Sequence, residues 1–378
     1  MATQQPVVSP SRRIAPDHTL EPLQKLKLDV LISEARKPIE SLVYARTTDK
    51  VSLILNLLRI HDIMSLPIFD PNKGKFIAII NVVHIARFYM LRKAYALPIS
   101  TNESIDGKYE LGDRIKDDLN DVYDFPITEV INSIEPNALA SFKMYHKSAP
   151  LIPCLQAMGT KENVYSILVS VAKEREKMEG EIRQALILTQ WDAINFLLNH
   201  EKLKQNNAFD LSASKAMQRN WISFTGKDDP NQPSHRLPET SANLTFALSI
   251  TQEMSAFAGF KIMAIHRLSS IAVVDNDSKL VDNLSASDIR FLTIDNVVDG
   301  LLPVREFLQK IRSHPKEVAA CTEDTRLEEV MRSAVSIGVH RIWVKEKDTD
   351  KPIGVVSMSD MLDMLVGHMK LQEFGDED

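Results

Sequence analysis

The sequence predicts a mixed α/β fold in which one strand-helix-strand-strand-helix unit recurs along the chain. The first observation is internal duplication: IHRLSSIAVVD with LVDNLSASDI recurs as VHRIWV with GVVSMSDML near the C-terminus. The second is the regular alternation of short apolar strands with helical stretches. The third is the pair of hairpin-like turns, PNKG and DNDSK. Self-similarity at a fixed period is a stronger indication of fold than any single motif.

The last unit shows the order of elements most clearly. Strands are predicted at KEVAAC, HRIWVKE and PIGVVSM, and a helix is predicted over residues 322–338, whose apolar side chains have helical spacing. Asp360 stands immediately before the apolar-periodic MLDMLVGHM, where an Asp typically caps a helix. The preceding unit repeats the order in FALSI, QEMSAFAGFKIMAI, LSSIAVVD, KLVDNLSA and IRFLTI. Its Asp288 lies 72 residues before Asp360.

The N-terminal half contains one clear copy of the unit and one weaker copy. The clear copy runs through SLVYA, DKVSLILNLLRIHD, SLPIFD, KFIAIINV and IARFYMLRKAY. In the weaker copy, ASFKMYHKS is predicted as the first helix, APLIPCLQ as a strand, and RQALILTQWDAINFLL as the final strand and helix. The charged stretch KEREKMEGEIR reads as an insertion.

A chain of 378 residues is long for one hydrophobic core, so two domains are expected. The boundary is placed in a turn-rich segment, although Trp221, Ile222 and Phe224 indicate that part of it docks. Each unit alone is too small to bury both faces of its sheet, so the units should pair two by two. The predicted parts are a mobile tail (residues 1–33), units 34–96, 125–204, 238–300 and 301–370, a linker (205–237), inserts at about 97–124 and 157–182, and an acidic tail (371–378).

Composition and motifs exclude several classes of protein. A net charge of -6 and the absence of a long basic block argue against nucleic-acid binding, and no apolar run is long enough to span a membrane. Cys154 and Cys321 have no pattern of a metal site or disulfide framework, which fits a reducing compartment. No nucleotide-loop, hydrolase or metalloprotease motif occurs. We therefore expect a soluble, cytoplasmic or also nuclear protein that is not an enzyme and holds no metal.

The repeated pattern resembles the cystathionine-β-synthase (CBS) domain. Four copies in two tandem pairs resemble the nucleotide-sensing γ subunit of AMP-activated, SNF1-type protein kinases. IHRLSSIAVVD with LVDNLSASDI is similar to the third γ repeat, VHRIWV with GVVSMSDML to the fourth, and SLPIFD with KFIAIINV to the first. The resemblance covers most of the chain from about residue 36, and the two inserts look foreign to the family. It implies four CBS domains paired into two Bateman modules that form a disc.

The resemblance also implies ribose-binding residues. In the family, a Thr or Ser at the end of the first strand and an Asp at the start of the last helix flank the nucleotide. By position these are Thr251 with Asp288, and Thr322 with Asp360. A carboxylate only accepts hydrogen bonds and can take two vicinal hydroxyls at once. Alternatively, both Asp residues merely cap their helices. The supporting residues would be Ser285, Ser287, Ser357 and Ser359.

Two His-Arg pairs are the predicted phosphate ligands. His266-Arg267 and His340-Arg341 both lie at predicted helix-to-strand junctions, where the family directs basic side chains at the ligand phosphates. Arginine suits this role because its charge is permanent and its donors form a planar fork. The alternative is that each pair is a solvated cap that interacts with a helix dipole. Two pairs in register beside two ribose-type Asp residues favour the phosphate role.

The N-terminal half departs from the family pattern. His84 stands where the ribose-binding Asp is expected, and Met64 replaces an arginine that γ subunits carry. Thr47 and Asp192 remain as weaker candidates, but SAPLIP replaces the basic pair before Asp192. This half is therefore predicted to have a structural or partner-binding role.

The resemblance implies a non-enzymatic regulatory subunit that senses energy state. AMP, ADP or ATP would be its regulatory ligand, with no obligatory cofactor, and kinase catalytic and scaffold subunits would be its partners, with a homodimer as a further option. One rival is a ligand-independent CBS scaffold that regulates a kinase or phosphatase. A second rival, an enzyme with CBS modules attached, is disfavoured because the inserts are too short to hold a catalytic core.

Overall fold

A computed structural model describes eleven stretches of the chain. They are residues 25–35, 42–92, 105–133, 142–159, 164–171, 185–200, 207–217, 220–224, 246–293, 295–312 and 317–371. The first 24 residues of the predicted mobile tail, the charged stretch predicted as an insertion, and all but the first residue of the predicted acidic tail lie outside the described residues.

Within these stretches the strands form four small sheets, one for each repeated unit, which we number repeats 1 to 4. In each sheet a first strand runs parallel to the second, and the second pairs with the third in antiparallel fashion. The strands are β1 Ala45–Arg46, β2 Ser65–Asp70, β3 Lys75–Asn81, β4 Met144–His146, β5 Ser166–Ser170, β6 Ala185–Thr189, β7 Asn220–Phe224, β8 Phe246–Thr251, β9 Ser270–Val274, β10 Leu280–Ser285, β11 Ala320–Cys321, β12 Arg341–Lys345 and β13 Pro352–Ser357.

Helices follow the first and last strands of each repeat. The α-helices are α1 Leu28–Glu34, α2 Val51–Ile60, α3 Val82–Arg92, α4 Ile105–Asp124, α5 Ile127–Ser133, α6 Leu151–Ala157, α7 Gln190–Asn199, α8 Ala213–Ala216, α9 Ala256–His266, α10 Val304–Ile311, α11 Leu327–Ile337 and α12 Met358–Leu371. Asn207–Asp210, Ala286–Phe291 and Val297–Leu301 are 3₁₀ helices. The predicted final helix of repeat 3 is therefore the short 3₁₀ helix Ala286–Phe291. No helix in the described stretches is long and apolar enough to cross a bilayer.

The two predicted hairpin turns are confirmed, and side chains of the strand ends stabilise them. Asp70 Oδ1 accepts hydrogen bonds from the amides of Asn72 and Lys73 at 3.0 and 3.3 Å. Asp275 Oδ1 likewise accepts from two amides of its own turn, at 2.9 and 2.8 Å. An Asp side chain that accepts from backbone amides two to four residues ahead mimics the hydrogen bonds of a backbone turn. Both antiparallel hairpins are thus specified locally.

Repeat 2 was predicted wrongly in its first part. The segment predicted as a helix, ASFKMYHKS, contains β4, and the segment predicted as a strand, APLIPCLQ, forms α6. Leu151, Cys154 and Leu155 are buried at helical spacing, and Pro153 is tolerated because it lies in the first helical turn. The predicted insert at residues 157–182 contains β5, whose five residues are all buried. Its continuous apolar run lacks the alternation that marks a half-exposed strand.

The four repeats close into a ring through four packed interfaces. Helices of repeats 1 and 3 share one hydrophobic core, and helices of repeats 2 and 4 share another. The sheets of repeats 1 and 2 meet around Phe76 and Leu168, and those of repeats 3 and 4 meet around Ala272 and Trp343. Every repeat thus contacts two others through different faces. This arrangement is the disc that the sequence predicted.

Within each pair, the helices that precede the repeats are exchanged. Helix α1 leads into repeat 1 but docks on repeat 2, where the Leu28 amide donates to the Ala149 carbonyl at 3.0 Å. Helix α5 precedes repeat 2 but docks on repeat 1, where the Ile127 amide donates to the Asp49 carbonyl at 2.8 Å. The second pair repeats this exchange. The two members of a pair therefore complete each other's packing.

The second pair uses part of the predicted linker for the same exchange. The Ala213 amide donates to the Thr325 carbonyl of repeat 4 at 2.7 Å, and helix α10 docks on repeat 3 through the Val304 amide and the Met254 carbonyl at 2.7 Å. Strand β7, which carries Trp221, lies parallel to β8 at the edge of the repeat 3 sheet.

The predicted insert at residues 97–124 contains α4, which bridges repeats 1 and 3. Over residues 113–124, its buried side chains are Ile115, Leu119 and Val122. At its C-terminal end, the Tyr123 hydroxyl donates to the Leu292 carbonyl of repeat 3 at 3.2 Å, and Asp124 Oδ1 lies 2.8 Å from Nζ of Lys50 in repeat 1. The helix therefore ties together two repeats that belong to different pairs.

We expect Tyr123→Phe to lower the free energy of unfolding by about 0.5 to 1.5 kcal/mol, because it removes one hydrogen bond and leaves the Leu292 carbonyl unsatisfied. Urea unfolding followed by circular dichroism measures the change. Asn120→Ala, at an exposed position of the same helix, is the matched control. Equal unfolding midpoints in the two variants would show that the hydrogen bond between Tyr123 and Leu292 does not contribute to stability.

Candidate functional site

In all four repeats, the last strand enters its helix through the same turn. A residue at the end of the strand donates its backbone N–H to the side chain three positions later. In repeats 3 and 4, Ser285 donates to Asp288 Oδ2 and Ser357 to Asp360 Oδ2, both at 2.8 Å. In repeat 2, Thr189 donates to Asp192 Oδ2 at 2.8 Å. These side chains are the third residues of their helices. The prediction that Asp288 and Asp360 immediately precede and cap their helices is therefore wrong, because a Ser takes the capping position.

Repeat 1 has the same turn with a histidine in it. The Asn81 amide donates to His84 Nδ1 at 3.3 Å, and Asn81 Oδ1 accepts from the His84 amide at 3.0 Å. Since Nδ1 accepts, the ring hydrogen lies on Nε2. Burial and the charge of Arg87 lower the pKa of His84 to about 4, so the ring is neutral. Repeat 1 therefore presents a hydrogen-bond donor where the other repeats present a carboxylate.

In repeat 4, a buried carboxylate and a half-buried cation lie close to the interface with repeat 3. Asp360 is 5% exposed, and its Oδ2 accepts from both the amide and the hydroxyl of Ser357. The Arg341 guanidinium donates to the Ser269 hydroxyl of repeat 3. Burial lowers the pKa of Arg341, while Tyr165 and Asp360 raise it. Arginine remains charged in proteins, so a cation spans the two repeats here.

In repeat 3, the carboxylate of Asp288 is 13% exposed. Burial raises the pKa of Asp288 to about 6, and the Ser285 amide and Arg312 oppose that shift. The Ser285 hydroxyl lies 2.8 Å from the Ser287 hydroxyl, so it does not add a second donor to the carboxylate. Arg312 Nη2 lies 4.0 Å from Asp288 Oδ2. Nothing in the sequence marked Arg312, because its helix leads into repeat 4 but docks on repeat 3.

The remaining predicted residues have varied surroundings. Thr251 is the last residue of β8, and Thr322 directly follows β11. Both are half-buried, and the Thr322 amide donates to Thr325 Oγ1 at 3.1 Å. Thr47 in repeat 1 is buried, and its amide donates a hydrogen bond to the Phe69 carbonyl. Ser359 faces repeat 2, where Gln190 Nε2 donates to its hydroxyl at 2.7 Å.

The two His-Arg pairs do not occupy equivalent positions. Arg267 follows its helix in the left-handed conformation, with φ 59°, and Leu268 donates its amide to the carbonyl of Met263. In repeat 4 the left-handed residue is Gly338, with φ 76°, and the next amide makes the same bond. Arg267 thus corresponds to Gly338, and His340-Arg341 corresponds to Ser269-Ser270. The prediction that the pairs are in register is wrong.

The shift in register gives the two pairs different surroundings. Arg341 opens strand β12 and reaches Ser269 across the interface between repeats 3 and 4. Arg267 is exposed after its helix, and His266 is half-buried. Burial lowers the pKa of Arg87 in repeat 1, and the charge of Arg267 lowers it further. Arg267 therefore lies close to a cation of repeat 1.

Comparisons with known proteins agree with this architecture. The family model for the CBS domain matches residues 302–367. The chain is 29% identical over 145 residues to the SNF1-related protein kinase regulatory subunit gamma-1-like of Arabidopsis thaliana, covering 34% of this chain and 32% of that protein. It is 25% identical over 220 residues to protein SDS23 of Kluyveromyces lactis, covering 52% and 39% respectively. The matches thus span only about a third of the length of these curated relatives.

A solved structure shares the fold of nearly the whole chain. Protein MJ1225 of Methanocaldococcus jannaschii, described as a candidate archaeal homologue of g-AMPK, superposes with a TM-score of 0.55 at 16% identity, over 86% of this chain and 97% of that one. Identity at this level establishes the fold alone. Residues 302–367, in the fourth repeat, therefore match the CBS-domain model, the fold is shared with the archaeal structure, and part of the sequence is similar to a regulatory γ subunit of SNF1-related kinases.

Proposed function

We propose that this protein is a non-enzymatic regulatory subunit that binds AMP, ADP or ATP between repeats 3 and 4 and passes their occupancy to a protein kinase. The observation that carries the proposal is the pair of largely buried carboxylates, Asp288 and Asp360, each held by the same backbone hydrogen bond of its turn. Arg341 adds a cation that spans the same two repeats. The kinase partner, with its catalytic and scaffold subunits, is proposed because a relative is named as a kinase regulatory subunit.

The chemistry of the site suits a nucleoside phosphate. A carboxylate has about four lone-pair positions and accepts only, so Asp288 can take ribose hydroxyls beyond the Ser285 amide that it already accepts. Arginine pairs with phosphate oxygens through two parallel hydrogen bonds. Ligands with one, two or three phosphates would engage Arg341 to different extents. Only such differential affinity can shift a conformational equilibrium, and the same coupling makes partner and nucleotide affect each other's affinity.

Isothermal titration calorimetry with AMP, ADP and ATP tests the proposal. We expect Asp288→Asn and Asp360→Asn each to weaken binding at its own site by about 10- to 100-fold, because hydrogen bonds to a charged group contribute about 1.5 to 3 kcal/mol. Asp192→Asn changes the same turn in repeat 2 and is the matched control for loss of the cap. Folded wild-type protein that gives no heat with any of the three nucleotides would overturn the proposal.

A ligand-independent scaffold is the second candidate function, and His84 favours it. Repeat 1 keeps the turn but has His84 in place of the carboxylate, so one of the four repeats has kept the structure without the proposed ribose-binding group. Capture of partners by wild-type protein and by the Asp288→Asn/Asp360→Asn double variant separates the two functions. Unchanged partner binding, with and without nucleotide, would favour the scaffold.

A further inference from the structure

Asp288 and Asp360 occupy the same turn, but their carboxylates are satisfied differently. Asp360 Oδ2 accepts from both the amide and the hydroxyl of Ser357. Asp288 Oδ2 accepts the Ser285 amide, while the Ser285 hydroxyl bonds with Ser287 and lies 3.4 Å from the Ser269 carbonyl. A carboxylate that is mostly removed from water needs donors or a cation to stay charged. Asp288 therefore depends on a group outside its own turn.

That group is Arg312, the residue directly after helix α10. Its Nη1 donates to Asp282 Oδ1 at 2.6 Å, and its Nη2 donates to the Asn283 carbonyl at 2.8 Å. Nη2 also lies 4.0 Å from Asp288 Oδ2, and the side chain is only 17% exposed. Two bonds to strand β10 fix the guanidinium, so its distance from Asp288 is set by the fold.

We propose that Arg312 is the positioning residue of the repeat 3 site, and that its charge keeps the Asp288 carboxylate in the ionised form that a ribose diol requires. The inference rests on the proposed nucleotide function and names how that site is regulated. It predicts that nucleotide binding in repeat 3 responds to pH near neutrality.

The charges around Asp288 explain why one arginine matters. Burial is the strongest influence and raises the pKa of Asp288 to about 6. The Ser285 amide, Arg312 and Arg290 lower it, and Asp282 raises it. Arg290 also lies 3.7 Å from Asp62, so the negative charge of Asp62 offsets part of the effect of Arg290 on Asp288. Removal of Arg312 should therefore bring the titration of Asp288 into the physiological range, where protonation converts one acceptor position of the carboxylate into a donor.

The test is nucleotide affinity as a function of pH in the full chain carrying Asp360→Asn, which isolates the repeat 3 site. We expect affinity to fall below about pH 6, roughly tenfold for each pH unit, because the proton competes with the diol. With Arg312→Met we expect the fall to begin at higher pH and affinity at about pH 6.5 to be roughly tenfold lower. Arg312→Lys should restore most of the wild-type profile.

Two further variants control for structural damage. Asp282→Asn removes the neighbouring negative charge and should move the fall to lower pH, the opposite direction to Arg312→Met. Lys310→Met removes a cation from the same helix, paired with Asp299 at 2.7 Å, and should leave the profile unchanged. Identical profiles in wild type, Arg312→Met and Asp282→Asn would overturn the proposal.

Failure of the nucleotide function can be told apart from failure of this inference. The pH dependence of unfolding, compared between wild type and Asp288→Asn, reports the titration of Asp288 without any ligand. The same comparison in the Arg312→Met background should place that titration at higher pH. No nucleotide binding together with this change would overturn the proposed function alone, whereas an unchanged titration would overturn the role of Arg312.

Discussion

Replacing Phe257 by alanine is expected to lower the free energy of unfolding by about 3 to 5 kcal/mol, the range for a fully buried aromatic side chain. Phe257 is 1% exposed in the core shared by repeats 1 and 3. Its ring centroid lies 6.4 Å from that of Tyr89 in repeat 1, and its edge packs on Gly300, where a Cβ would come within 2.5 Å. The loss should therefore weaken the contact between two repeats as well as the core of one.

Equilibrium unfolding in urea measures this effect. Phe291→Ala is the matched control, because that ring is 44% exposed and should change the free energy of unfolding by less than about 1 kcal/mol. Similar losses in the two variants would mean that the shared core of repeats 1 and 3 does not stabilise the molecule in the way described.

Acid is expected to destabilise the protein through His84. Its pKa is about 4 in the folded state and about 6.5 when exposed. As pH falls below 6.5, the unfolded chain binds the proton and the folded protein does not, so stability is present above pH 6.5 and is lost as pH falls toward 4. The loss approaches about 3 kcal/mol, because each tenfold difference in proton affinity between the two states contributes about 1.4 kcal/mol. Asp288 acts in the opposite direction, because its raised pKa makes protonation favour the folded state as pH falls through 6.

The comparison of wild type with His84→Gln isolates the histidine, since Asp288 is common to both proteins. Glutamine at this position of the turn can still accept the Asn81 amide, so the cap is kept. Unfolding in urea at pH 7 and at about pH 4.5 should show a drop in stability that is about 2 to 3 kcal/mol larger in wild type. Parallel pH curves for the two proteins would contradict the neutral state of His84.

Much of the fold could be predicted because its signals are local. The strand SLPIFD extends over Ser65–Asp70 as predicted, since the turn that follows it is fixed by one aspartate. Repeat 2 was less predictable. LIPCLQA is apolar at nearly every position and contains a proline, so its helical periodicity is hard to distinguish from a buried strand.

The candidate site was predictable to the extent that its parts are neighbours in sequence. Asp288 and Asp360 each follow a capping serine by three positions, so one turn of the chain brings each aspartate next to its own serine. The register of the His-Arg pairs depends on which residue ends the helix in the left-handed conformation, and here an arginine does so in one repeat and a glycine in the other. The proximity of Arg312 to Asp288 depends on how helix α10 docks on repeat 3, and no local sequence pattern indicates that docking.

The exchange of helices within each pair sets the smallest inheritable unit of this architecture. A single repeat copied elsewhere in a genome would arrive without the helix that covers it, because that helix is encoded next to its sister repeat. Duplication of one repeat would thus yield a sheet with an uncovered apolar face, whereas duplication of a pair with its leading helix yields a closed body. Growth of such proteins should therefore proceed in steps of two.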